Sequence, residues 1–225
     1  MSSTYTVLCI NASARGESSL SRALGDHFTD EWRVRWPHDP LLRRDVGLSP
    51  PPAISEDWIA AAFTPRAERT RSQQRLLALS DTLISELRRA DLLLIATPMY
   101  NYGMPSALKA WIDQVIRINE TFTFDLARGD WPLEPIFAGK SLVLLTSSGE
   151  FGFFSNGPRS HMEHLTSHLR TCSRYFGVNE TFHIAIEYQE FGGERHRRSI
   201  KDAHNEVVRL VENLSMRRNV GSGMM

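Results

Sequence analysis

The chain is short of cysteine and of net charge, and it contains no long unbroken apolar run. Two cysteines in 225 residues, Cys9 and Cys172, cannot build a disulfide framework or, alone, a cysteine metal centre. Each sits among apolar residues, where a free cysteine behaves as a small buried hydrophobe. Lysine plus arginine and aspartate plus glutamate number 26 each, for a formal net charge of +0. Such a chain lacks the global basic field that nucleic acid or an anionic membrane demands, so neither is expected as a partner. Neutrality instead favours self-association. Polar residues Met1 to Thr6 lead straight into a short apolar run, so neither a signal peptide nor a transmembrane helix is expected, and a cytoplasmic location is. No G-x-G-x-x-G follows the first apolar run, which argues against a dinucleotide Rossmann site. Gly139-Lys140-Ser141 resembles the end of a phosphate loop, but Glu134 stands where the first glycine is required, and the segment precedes a strand.

What is present is a hydrophobic content of 41% with 23% charged residues, enough for a real core under an ordinary soluble surface. Nothing in the middle reads as a linker, so one domain is expected over residues 1–214, with a frayed tail over 215–225. Val7 to Ile10 is a compact apolar strand feeding a loop. A helix follows from Ser18 or Ser19, with Leu20, Leu24, Phe28 and Trp32 at helical spacing. Residues 33–71 carry Pro37, Pro40, Pro50 to Pro52 and Pro65, which forbid long elements. A short strand around Leu41 to Val46 and a short helix around Glu56 to Phe63 fit between them. Leu76, Leu79, Leu83, Ile84 and Leu87 mark an amphipathic helix over Ser72 to Arg89. Leu92 to Ala96 and Ser141 to Thr146 are buried strands. Pro105 opens a helix through Val115. Pro158 is expected to open another, with Met162, Leu165, Leu169 and Cys172 on one face. Thr181 to Glu187 is the last strand, before a helix from about Glu194 to Leu214.

Strands alternating with helices imply a doubly wound α/β fold. Five strands at this spacing suit a flavodoxin-like parallel sheet of order 2-1-3-4-5, with helices on both faces. Ligands in such sheets bind outside the carboxyl ends of the strands, which nominates three loops. The first, Asn11 to Ser21, is hydroxyl-rich and enters a helix N-terminus, a natural phosphate cradle. The alternative is plain helix capping, which needs only one serine. The second, Thr97 to Met104, offers Met99, Tyr100 and Tyr102 as a wall for a flat ring and Asn101 as donor and acceptor; a purely structural loop is the alternative. The third is Ser147 to Gly157. His161, His164 and His168 stand at i, i+3 and i+7 of the expected helix, but the apolar positions claim its buried face. An edge position, at a subunit contact or pocket mouth, is favoured there over a metal site.

The second loop, Pro98-Met99-Tyr100-Asn101-Tyr102, and the following Pro105-x-x-Leu108-Lys109-x-Trp111-x-Asp113 resemble the FMN-dependent NADH-azoreductase and quinone-reductase family. Ser13, Arg15, Ser19 and Ser21 match that family's S-x-R-x-x-x-S-x-S, and Thr121 to Phe124 and Ala138 to Lys140 match as well. Ser147-Ser148-Gly149-Glu150 keeps two positions of the family's S-R-G-G, with Ser148 and Glu150 departing from it. The resemblance implies FMN bound by Ser13, Arg15, Ser19, Leu20, Ser21, Pro98, Met99, Tyr100, Asn101, Tyr102, Ser147, Ser148, Gly149 and Glu150. It implies a homodimer working by ping-pong hydride transfer from NADH or NADPH to a quinone or azo acceptor. No side chain is expected to act as acid, base or nucleophile, because the flavin carries the chemistry. Phe122, Phe124 and Trp131 are expected in the acceptor pocket, with ordinary lid packing as the alternative. An FMN-using electron carrier and a reductase releasing free reduced flavin are the rival functions; carriers of that kind are usually strongly acidic, and this chain is neutral.

Overall fold

The computed structural model describes residues 4–154 and 156–222. Its centre is a parallel five-stranded sheet. Strand β1 (Val7–Asn11) pairs with β2 (Leu41–Asp45) on one side and β3 (Leu92–Pro98) on the other; β3 pairs with β6 (Lys140–Ser147), and β6 with β7 (Val178–Ile186). The spatial order β2-β1-β3-β6-β7 is the expected 2-1-3-4-5 with an inserted hairpin skipped. That hairpin, β4 (Phe122–Phe124) with β5 (Leu133–Pro135), is antiparallel and separate from the main sheet. All seven residues of β3 are buried, as required of a central strand covered on both faces.

Alternation along the strands divides the core in two. Leu8, Ile10, Leu93, Ile95, Leu142 and Leu144 face one side, where α3 (Arg71–Arg89), α4 (Ser106–Val115) and α5 (Leu165–Ser173) cover them. Val7, Cys9, Leu92, Leu94, Val143 and Leu145 face the other, under α1 (Leu20–Arg35) and α6 (Gly193–Ser222). Helix α1 buries Leu24, Phe28 and Trp32 against this second face; full burial of each such side chain is worth about 1.5–3 kcal/mol. Gly25 lets α1 approach the sheet closely, since a β-carbon there would lie 3.0 Å from the Ala96 Cβ. In the proline-rich stretch, β2 and α2 (Glu56–Phe63) form where expected. Helix α3 opens with a reciprocal capping box between Thr70 and Gln73. Its far end is closed by the Lys140 ammonium, which donates to the carbonyls of Arg88 (3.3 Å) and Ala90.

Two expectations need correction. Pro158 does not open a helix: a single 3-10 turn, Ser160–Met162, precedes α5, which starts at Leu165. The Glu163 carboxylate accepts from the Thr166 N–H (2.6 Å) and hydroxyl, capping the later start. The His164 N–H is spent on the Tyr102 carbonyl (2.9 Å). The three histidines therefore share no helical face; only His168 lies in α5. The second correction concerns the tail, which is helical to Ser222 where fraying was expected from Ser215. Trp36 Nε1 donates to Ser215 Oγ (3.1 Å) and Arg217 pairs with Glu180 (2.6 Å). Arg218 pairs with Asp39 and lies over the rings of Trp36 (4.1 Å) and Tyr5 (5.0 Å). Residues 223–225 lie outside the described residues.

Candidate functional site

The carboxyl ends of β1, β3, β6 and β7 converge on one cavity of about 240 Å3. It is lined by Ser13, Arg15, Ser19, Leu20, Pro98, Met99, Tyr100, Ser147, Ser148, Gly149, Gln189 and Glu190. Ten of the fourteen residues expected to hold a cofactor are thus brought together. Ser21, Asn101, Tyr102 and Glu150 stand outside the lining.

The first loop ends where Ser19 caps α1, its hydroxyl accepting from the Arg22 N–H at 3.3 Å. Capping and cavity lining therefore coincide in one side chain. Ser21 is the second residue of α1, fully buried, with its hydroxyl 3.3 Å from that of Ser19. It touches the site through Ser19. The loop's shape is set by residues that carry no motif. Arg22 donates from Nη2 to the Ser13 carbonyl (3.0 Å) and from Nε to the Arg15 carbonyl (3.3 Å), while pairing with Asp45 at the end of β2 (2.5 Å). Partial burial disfavours the Asp45 carboxylate, yet the Arg22 hydrogen bond and the Leu48 N–H hold its pKa below the ordinary value. Gly47 packs flat on the loop: a β-carbon there would fall 2.0 Å from the Ser13 carbonyl oxygen.

In the second loop, Tyr100 and Gly103 exchange backbone hydrogen bonds of 3.0 Å in both directions. The two residues between, Asn101 and Tyr102, take positive φ of 47° and 65°, the geometry of a tight hairpin turn. Asparagine tolerates this conformation and tyrosine does so at a cost. Asn101 and Tyr102 are exposed and off the lining, which leaves Met99 and Tyr100 as the wall. The Tyr102 ring packs edge-on to Phe153 (6.2 Å), tying this loop to the third.

In the third loop, Ser147 and Ser148 are buried, and the Ser148 hydroxyl donates to the Glu150 carbonyl (3.0 Å). The Glu150 carboxylate lies 3.6 Å from Arg159. Glu187 secures the loop by accepting from the N–H groups of Gly152 (2.8 Å) and Phe153 (3.3 Å). The segment after β7 runs alongside, and it brings in Gln189 and Glu190, which sequence reasoning missed. The rule that points to the carboxyl ends of strands applies to the last strand as well; that loop carries no motif and was passed over.

Phe122, Phe124 and Trp131 do not reach the cavity within this chain. Phe122 packs edge-on to Tyr175 (5.6 Å), in the turn that precedes β7, whereas the cavity lies where β7 ends. Phe124 is 50% and Trp131 79% exposed.

The arrangement is a polar cradle at a helix N-terminus, an apolar wall, and a second polar edge of serines and backbone. It suits a flat ring system carrying one phosphate. Among the described residues there is no group of His, Cys, Asp and Glu able to hold a metal ion, and no helix is long and apolar enough to cross a membrane.

Comparison with known proteins agrees with the geometry. The family model described as a flavodoxin-like fold matches residues 5–211. The chain is 51% identical over 216 residues to FMN-dependent NADH:quinone oxidoreductase 2 of Colwellia psychrerythraea, covering 93% of this chain and 99% of that protein. It is 41% identical to FMN-dependent NAD(P)H:quinone oxidoreductase 1 of Pseudomonas aeruginosa, covering 91% and 97%. An FMN-dependent NADH-azoreductase of Bacillus anthracis, solved with FMN, superposes with a TM-score of 0.82 over 94% of this chain and 99% of that one. At 18% identity that likeness speaks for the fold alone.

Proposed function

This chain belongs to the flavodoxin-like family together with the FMN-dependent NADH:quinone oxidoreductases, and from that premise we propose that it is an FMN-dependent NAD(P)H oxidoreductase that reduces quinones, azo compounds or both. The observation that carries the reading is the single cavity uniting Ser13, Arg15 and Ser19 at the start of α1 with the Met99 and Tyr100 wall and the Ser147 to Gly149 edge. The residues fit FMN. Ser13 and Ser19 are buried hydroxyls on the lining beside the N–H groups and dipole of α1, a site for one terminal phosphate. Arg15 adds a positive charge. Gly149, without a β-carbon, leaves room for the Glu190 side chain at this edge of the cavity.

The chemistry FMN supplies when bound is two-electron hydride acceptance and return. The chain's own work is positional. The Arg22–Asp45 pair fixes the phosphate loop, the Asn101-Tyr102 turn presents Met99 and Tyr100, and Glu187 pins the third loop. These contacts give a preorganised surface on which a nicotinamide and then an acceptor can stack in turn.

A homodimer in the cytoplasm completes the proposal. The cavity is smaller than a typical whole ligand site, so a second wall is needed over its open side. Exposed Phe124, Leu126, Trp131 and Leu133 on the hairpin, and Ile59 and Phe63 on α2, provide apolar surface for a second copy. With 26 basic and 26 acidic residues the chain lacks the strong overall acidity usual of one-electron flavin carriers. A steady-state screen of quinones, azo dyes and free flavins with both coenzymes tests the proposal. Parallel double-reciprocal lines with a quinone or azo dye are expected. Turnover with free flavin alone would reassign the protein as a flavin reductase.

A further inference from the structure

The cavity contains a carboxylate that the phosphate cradle does not explain. Glu190 lies on the lining beside Gly149 and Gln189, across from the Ser13, Arg15 and Ser19 end. Its backbone is fixed by three successive rungs: Tyr188 N–H to Glu150 O (3.2 Å), Gln189 N–H to Ser148 O (3.3 Å) and Glu190 N–H to Gly149 O (3.0 Å). Its side chain lies flush on the third loop, because a β-carbon on Gly149 would sit 2.6 Å from both its carboxyl carbon and Oε1. Among the described residues this carboxylate has no ion-pair or side-chain hydrogen-bond partner. Glu150, the acidic residue that the sequence places in this loop, is different: it is paired with Arg159 and stands off the lining.

An acceptor-only group without a donor, in a cavity otherwise lined at that edge by serines and a glutamine, calls for a ligand that brings a donor. On the FMN reading, the phosphate end lies at α1 and the apolar wall is Met99 and Tyr100. The polar pyrimidine edge of the ring then matches the Ser147, Gly149, Gln189 and Glu190 side. That edge carries one N–H in the oxidised ring, the imide N3–H.

We propose that Glu190 accepts a hydrogen bond from the flavin imide N–H and that its negative charge disfavours accumulation of charge on the reduced ring. Glu190 is thereby a positioning residue that sets ring orientation and redox poise. The inference rests on FMN being the ligand.

The test uses flavin-free protein titrated with FMN and with FMN methylated at N3, followed by flavin fluorescence, together with midpoint potentials of the FMN-loaded forms. Wild type should prefer FMN over the methylated analogue by about tenfold, the scale of one charge-assisted hydrogen bond. Glu190→Ala should abolish that preference, while Glu190→Gln, which keeps an acceptor oxygen without the charge, should retain about threefold. Both variants lose the charge, so both should raise the midpoint potential. Gly149→Ala should push the flexible carboxyl group away and behave like Glu190→Ala. It should add nothing further in the Glu190→Ala background. Equal discrimination in wild type and Glu190→Ala, or unchanged potentials in both variants, overturns the inference while leaving the FMN reading intact. Failure of wild type to bind FMN at all overturns both.

Discussion

Ser19→Ala perturbs two functions of one hydroxyl, and the structure allows each to be sized separately. As the cap of α1, Ser19 satisfies the Arg22 N–H at 3.3 Å. Its loss should cost about 1 kcal/mol of stability in the flavin-free protein, roughly 2–4 °C in Tm for a domain of this length. As part of the lining, the same hydroxyl can donate to a phosphate oxygen. Losing a hydrogen bond to a charged group costs about 1.5–3 kcal/mol, or roughly ten- to hundredfold in affinity. Riboflavin, which has no phosphate, should lose little. Ser21 is 0% exposed and off the lining, so Ser21→Ala should alter the FMN-to-riboflavin preference by less than about threefold, ~0.6 kcal/mol. The assay is fluorescence titration of both ligands into both variants, beside thermal melts without flavin. If Ser19→Ala weakened FMN and riboflavin equally, Ser19 would be a helix cap and nothing more. If Ser21→Ala abolished FMN preference, the separation of the two serines would be wrong.

Three further outcomes follow from other contacts. Burial, with Arg170 adding to it, pushes the His183 pKa down to about 4. The folded protein thus holds His183 neutral while the unfolded chain protonates it below about 6.5. The resulting stability is present above pH 6.5 and is lost as the pH falls from 6.5 through 4, by about 3 kcal/mol at most. Denaturant melts across that window should show a steeper acid loss in wild type than in His183→Gln, and identical slopes would refute the assignment. Arg218→Ala leaves the nearly buried Asp39 carboxylate without this partner, so it should destabilise the protein by about 3 kcal/mol; an unchanged melt would mean that the end of α6 contributes nothing. Gly47→Ala must displace the Ser13 backbone, whereas Gly16→Ala meets nothing within 4 Å. The first should weaken FMN by about tenfold or more, at 1–3 kcal/mol of overpacking, and the second hardly at all.

The elements read most clearly from sequence were those whose stability is local or periodic. Leu92 to Ile95 is an uninterrupted apolar run introduced by Asp91, which suits a strand covered on both faces, as found. The spacing of Leu83, Ile84 and Leu87 gave the buried face of α3, whereas its first turns bury Leu77 and Ser80 and leave Leu76, expected on that face, 41% exposed. The Pro98 to Tyr102 loop was legible as part of the site because its residue types are unusual together, yet not which of its members face inward. That is settled by the tight turn at Asn101 and Tyr102, which leaves these two exposed and off the lining. The start of α5 was misread because it is decided by Glu163 and by a hydrogen bond from His164 to Tyr102, neither of which is periodic. The tail was misread because its anchors are distant: Arg218 meets Asp39 across 179 positions of chain. Glu190 was invisible for a related reason. Its place in the cavity follows from backbone rungs between two loops, not from any pattern of residue types. Of the hairpin's aromatic residues, Phe122 packs on Tyr175, whereas Phe124 and Trp131 stay exposed and are covered neither by the cavity nor by the rest of this chain.

The most direct measurement is anaerobic stopped-flow spectroscopy of the FMN-loaded protein mixed with NADH, followed by a second mix with a quinone. The protein should take up FMN stoichiometrically, its visible flavin absorbance should bleach in a single fast phase with NADH, and the absorbance should return when quinone is added after NAD+ has been removed. A protein that binds no FMN, or whose bound FMN stays oxidised in the presence of NADH and NADPH alike, would contradict the proposed function.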